Sequence, residues 1–204
     1  MNLLPLLASA ALGAALVSCG SIPLVNNNFG GGSNYLAGIG VTSSIPASVN
    51  PAEASSFWDG DTVAGAPSIH INRAEQKAYF YKNEELVGVA PISSGNAAHT
   101  TPAGSYIVTE KDDDYASSTY GTIVDIATGA TINADADSRK DKPAAGQKFV
   151  GAPMPHFLRF NYGIGMHAGY LPGYAASHGC VRMPKSMAQK FFNHAEIGTP
   201  VIVK

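Results

Sequence analysis

At 204 residues, 45% of them hydrophobic and 14% charged, the chain can bury one well-packed core and is short for two. A formal net charge of −2 excludes the basic excess that neutralises phosphates, so nucleic acid is not an expected partner. Charge is also uneven, because no Asp, Glu, Lys or Arg precedes Glu53.

Residues 3–18 form an apolar run that ends in small side chains. A comfortable membrane span needs about 20 apolar residues, so a secretory signal is the better reading of this shorter run. Leu16-Val17-Ser18-Cys19 resembles the lipobox of bacterial lipoproteins. That resemblance implies removal of residues 1–18 and acylation of Cys19, which would anchor the chain in a membrane by several acyl chains. Gly20 after the cysteine, where an Asp would favour the inner membrane, slightly favours the outer one. A plain signal peptide that happens to contain a cysteine is the alternative. Residues 19–64 hold Asn26-Asn27-Asn28, Gly30-Gly31-Gly32-Ser33 and scattered prolines without periodicity, which predicts a flexible linker.

The folded domain is expected over 65–204. Ser68-Ile69-His70-Ile71-Asn72 alternates, Ala78-Tyr79-Phe80-Tyr81 is aromatic-rich, and a polar Arg73–Lys77 stretch between them fits a hairpin turn. Further strands are expected at Leu86–Ala90, Gly104–Val108 and Ile123–Ile126, and polar, Gly- and Ala-rich residues 127–150 predict a loop or lid. One helix is expected from Pro184 to about Glu196, where Met187, Phe191 and Ala195 recur at four-residue spacing. Gly198 stops it, and Thr199–Val203 closes as a strand. The fold class is mainly β, a sandwich or barrel-like sheet with one helix after Cys180.

Ser177-His178-Gly179-Cys180-Val181-Arg182 carries the strongest chemical signal. A nucleophilic cysteine needs a nearby base or cation and some exposure. His167 lies thirteen residues upstream, and Gly169, Pro172 and Gly173 allow the chain to fold back between them. Two unrelated polar residues on neighbouring loops would show the same spacing. A disulfide between Cys19 and Cys180 is the other use of the two cysteines. Zinc on His167, His178 and Cys180 lacks a recognisable ligand spacing, so no metal or other cofactor is expected. Phe157, Phe160, Tyr162 and Tyr170 fit core as well as groove, and His70 and His194 fit structural positions, whereas His99 sits where it could border a cleft.

Residues from about 67 to 204 resemble the L,D-transpeptidase (YkuD-type) catalytic domain, whose hallmark is an upstream His followed by Ser/Thr-His-Gly-Cys-x-Arg/Asn. Ser93-Ser94-Gly95, Thr101–Tyr106, Met154-Pro155 and Gly198–Val201 extend the match. A nine-residue interval between His167 and Ser177 is short for the family, and His156 stands where relatives often carry Tyr. The resemblance implies acyl transfer on peptidoglycan stem peptides, the expected partner, through a thioester on Cys180. It assigns His167 as the base, the Ala168 carbonyl as its orienting group, and backbone N–H groups around Gly179 and Cys180 as the oxyanion hole. Arg182 would bind a stem-peptide carboxylate, with pairing to a local acid as the bland alternative. His178 would line the site or hold the turn, and Ser177 would hydrogen-bond the turn. An envelope location facing the periplasm goes with these roles. Hydrolysis of the same thioester, as in an L,D-carboxypeptidase or amidase-type peptidase, and a non-catalytic wall-binding lipoprotein remain open alternatives.

Overall fold

Ile69 and Ile71 alternate with polar neighbours, and burying one face of that pattern organises the domain. The computed structural model of the chain describes residues 51–204. Signal, lipidation and most of the linker fall outside the described residues. Strand β2 (Pro67–Asn72) buries both isoleucines beside Phe80 of β3 (Lys77–Lys82). With β4 (Glu85–Pro91), β5 (Gly104–Ile107), β13 (Pro200–Val203) and a two-residue β1 (Phe57–Trp58), they form a six-stranded sheet ordered β1-β4-β3-β2-β13-β5. Strand β13 lies between β2 and the edge strand β5, parallel to β2 and antiparallel to β5.

A second sheet is ordered β12-β11-β10-β6, from Val181–Met183, Ile164–Ala168, Phe157–Asn161 and Glu110–Asp112. Helix α2 (Lys185–His194) follows β12 and rests on β10 and β11. It buries Met187, Ala188 and Phe191, and Phe191 meets the Phe80 ring edge-on at 5.0 Å. Pro184 occupies the cap position before α2, where its missing N–H costs nothing. The fold is mainly β, as its patterning predicts, and its sheets are not closed.

Two regions depart from their sequence patterns. Residues 127–150 are not a loop: β8 (Thr131–Asp137) and β9 (Gln147–Pro153) flank β7 (Ala116–Asp125) in a third, three-stranded sheet. Strand β8 buries only Ala136, so hydrophobic alternation is weak and Asp, Asn and Ala dominate it.

Residues 51–64, the expected end of the linker, are instead folded onto the domain. Glu53, in the short helix α1 (Pro51–Ala54), accepts hydrogen bonds from the amide and hydroxyl of Ser186 in the first turn of α2. Trp58 packs on Phe80, Phe191 and His194. Asp61 accepts from Lys190, Trp58 Nε1 and His194 Nε2, and these bonds, Lys190 foremost, hold its carboxyl down near pKa 2. Buried Lys82 donates to Gly60 O and Val63 O, each at 2.7 Å, so this segment's carbonyls satisfy an ammonium the core would otherwise strand. Among the described residues no helix is long and apolar enough to cross a membrane.

Candidate active site

Strand pleating divides the second sheet into two chemically different faces. Leu158 pairs with Met166 and Met166 with Val181; with Phe160, Ala168 and Met183 they join the core. Arg159, Gly165, His167 and Arg182 occupy the alternate positions, with Arg159 opposite Gly165 and His167 opposite Arg182. Cys180 precedes β12 by one residue, so alternation sets it on the Arg182 side. His167, Cys180 and Arg182 accordingly line one cavity of about 410 Å³. The roof includes Tyr120, Asp135, Val150 and Pro153 of the three-stranded sheet.

His167 is 5% exposed, and its Nδ1 lies 2.8 Å from Ala168 O. A carbonyl only accepts, so Nδ1 carries the hydrogen and Nε2 of the neutral ring is the acceptor. Burial pushes the imidazole down to about 4; the Ala168 bond opposes that shift and the Arg182 charge adds to it. At neutral pH the ring is therefore an unprotonated base. Cys180 is a partly exposed free thiol, and its Sγ donates to Gly163 O at 3.8 Å. Burial pushes this thiol up, against the lowering effects of a Gly165 backbone hydrogen bond and the Arg159 and Arg182 charges. The resting pair is thiol and imidazole, not thiolate and imidazolium. No hydrogen bond joins ring to sulfur in this state, although both face the same cavity.

The loop before Cys180 is held by residues whose role the sequence does not announce. Ser94 O accepts from Ala176 and Ser177 N–H, and Ser93 Oγ donates to Tyr174 O. Ser93 and Arg182 exchange both backbone hydrogen bonds. Fully buried Thr101 donates to Gly179 O at 2.7 Å and accepts from Gly95 N at 2.9 Å. Gln76 in turn grips Ser94 through its backbone N–H and its hydroxyl. The signal was present only as the Ser93–Gly95 and Thr101 motif matches; nothing local shows that their partners lie some 80 residues away.

Each expected site residue has a definite place. Ser177 Oγ donates to Cys180 O and accepts from Gly179 N at 3.1 Å, which makes it a turn-holding residue. That bond holds the Gly179 amide within the turn, whereas Cys180 N–H has no acceptor among the described residues. Gly179 is required by its φ of +116° rather than by lack of room, since an added Cβ would make only ordinary contacts with Ile164. Arg182 lays its stem along Gly169, and among the described residues its guanidinium has no acid partner. His178 lines the cavity and stacks on Tyr120, while His99 borders a smaller adjoining cavity of about 200 Å³. Phe157 and Phe160 are buried, Tyr162 is exposed, and only Tyr170 of those four aromatics lines the cavity. His156 binds Asp113 at the base of the three-stranded sheet. Among the described residues no three His, Cys, Asp or Glu side chains gather as metal ligands.

Residues 66–203 match the family model of the L,D-transpeptidase catalytic domain (YkuD). The chain belongs to that family. An Enterococcus faecium L,D-transpeptidase mutant shares 23% identity with this L,D-transpeptidase domain at a TM-score of 0.50, covering 69% of this chain and 50% of that one. A Mycobacterium smegmatis L,D-transpeptidase shares 16% identity at 0.51, covering 69% and 59%. An L,D-transpeptidase solved in complex with imipenem shares 17% at 0.51, covering 68% and 59%. At these identities the likeness is one of fold, and the chain spans only half to three-fifths of each structure. No curated protein sequence matches the chain.

Proposed function

We propose that the protein is a cysteine acyltransferase that acts on peptidoglycan stem peptides, with Cys180 as nucleophile and His167 as base. The observation that carries this reading is one sheet face presenting a thiol, a neutral imidazole with Nδ1 fixed, and a cation without an acid partner. Rotation about the Cα–Cβ bond of Cys180 swings Sγ from Gly163 O toward Nε2. The ring takes the thiol proton as sulfur attacks the carbonyl between the third and fourth residues of the stem peptide. The Cys180 N–H stabilises the oxyanion, and the imidazolium returns its proton to the departing D-residue amine. An acceptor amine then attacks the resulting thioester: the C–S bond breaks as a new amide forms, such as a 3–3 cross-link, and the amine's proton passes through the ring to the departing Cys180 sulfur. Arg182 receives a stem carboxylate, which suits its forked donors.

The apolar run and Leu16–Cys19 support an extension of this proposal: the mature chain starts at acylated Cys19, and the domain faces the periplasm from an envelope membrane. Globomycin treatment, which blocks lipoprotein signal cleavage, should then leave a larger precursor.

The central test incubates the protein with purified tetrapeptide muropeptides. Dimers with release of the terminal D-residue are expected; tripeptide alone would indicate hydrolysis. Imipenem, bound by one of the proteins of similar fold, should acylate Cys180. A Cys180→Ala variant should lose both reactions, and a variant that kept them would refute the assignment.

A further inference from the structure

The three-stranded sheet covers the sulfur, yet its attachment is lopsided. At its base, Met154 N–H donates to Tyr115 O at 2.7 Å and His156 N–H to Asp113 O at 2.9 Å. Tyr115 also stacks on Phe157 at 4.2 Å, with the Arg159 guanidinium beside both rings. Beyond that base, no hydrogen bond or ion pair links residues 116–153 to the rest of the described domain. Ring contacts do so, and all of them belong to Tyr120. Its ring stacks on His178 with centroids 4.5 Å apart and planes 26° apart, and it meets His99 edge-on at 6.4 Å. On the sheet's own side, Arg139 donates to the Tyr120 hydroxyl at 3.0 Å and is itself gripped by Asp137. Tyr120 also pairs with Asp137 across the β7–β8 ladder, so ring, guanidinium and carboxylate form one preassembled unit.

We propose that Tyr120 is a positioning residue that latches the three-stranded sheet over the reactive sulfur by stacking on His178, two residues from Cys180. It acts through His178 and touches no reacting atom. Bulky acyl donors reach Cys180 when the stack parts, whereas small molecules enter through the existing opening. This inference rests on Cys180 being the reactive group.

The test follows alkylation of Cys180 in the full-length protein, with the Cys180 peptide quantified by mass spectrometry so that Cys19 does not interfere. Iodoacetamide serves as the small reagent and a polyethylene-glycol maleimide as the bulky one. Tyr120→Ala should raise the bulky-to-small rate ratio about tenfold, the scale set by losing a stacked aromatic pair. Tyr120→Phe keeps the stack and should stay within about twofold of wild type. If Tyr120→Ala fails to fold, Tyr120→Leu fills the strand position without a ring and should give the same rise. An unchanged ratio in the folded ringless variant, with normal iodoacetamide labelling, overturns the latch alone. Cys180 that resists iodoacetamide in every folded variant overturns both the latch and the reading of that sulfur as reactive.

Discussion

Met166 and His167 are adjacent in β11 and belong to different worlds. Met166 faces hydrocarbon with Leu158 and Val181, while His167 faces the cavity with Cys180 and Arg182. A period of two in the pleat lets one short strand serve as core wall and cavity floor at once. The lesson is economical: rigidity of the floor comes from packing on its back, so the site needs no separate scaffold. The two faces should therefore separate stability from activity. His167→Ala should lower kcat/KM for D-residue release by about 10²- to 10⁴-fold, the usual worth of a positioned base. Met166→Ala should cost about 2–5 kcal/mol in urea unfolding, as large-to-small core changes do, while the folded fraction keeps most of its activity. Equal loss of activity in both variants would erase the distinction.

His167 and Cys180 respond to pH in opposite directions. His167 binds its proton only near pH 4 in the folded chain, against an ordinary 6.5. Between those values the unfolded chain takes up a proton that the native chain refuses, so stability falls as pH drops through this window. For a side chain this buried the loss amounts to about 3 kcal/mol at most. Cys180 runs the other way: its raised value means stability is lost as pH climbs above the ordinary thiol value of 9.0. Unfolding free energies of wild type and His167→Ala, measured from pH 7 down to pH 4, should converge as pH falls. Parallel curves would mean that the ring titrates normally.

These comparisons also explain what the sequence made legible. Ser177–Arg182 and His167 declare themselves because residue type carries the chemistry, and β2, β3 and α2 because each buries a periodic face in a large core. Strand β8 stays hidden: Thr131-Ile132-Asn133-Ala134-Asp135-Ala136-Asp137 buries only Ala136. The bond from the Gly179 amide to the Ser177 hydroxyl is not legible in sequence either, because only the folded turn brings the two together. The raised thiol value likewise depends on packing around the sulfur, which no local residue type announces.

The front of the site can be loosened without touching any residue in the cavity. Thr101 is buried behind the loop and satisfies both Gly179 O and Gly95 N–H. Thr101→Val keeps the shape and strands both groups, which should cost about 1–3 kcal/mol. Because the loop carries Cys180, kcat should fall as well, and a variant destabilised without any change in kcat would show that the pin is structural only.

Glu53 offers the mildest break, at the greatest remove from the sulfur. Pro184 has no side chain to cap α2, so the Ser186 amide is satisfied by a carboxylate from 133 residues upstream. Negative charge there also suits the helix N-terminus. Glu53→Ala should cost about 0.5–1 kcal/mol, near the lower end for a lost cap. Because α2 supports β11 from the core side, the change should lower the melting temperature and leave kcat untouched. Glu53→Gln keeps an acceptor for the amide and should recover part of the loss, with the remainder reporting the charge. If Glu53→Ala left the melting temperature unchanged, Trp58 packing and β1–β4 pairing would suffice to dock this segment, and the cap would be a contact without consequence.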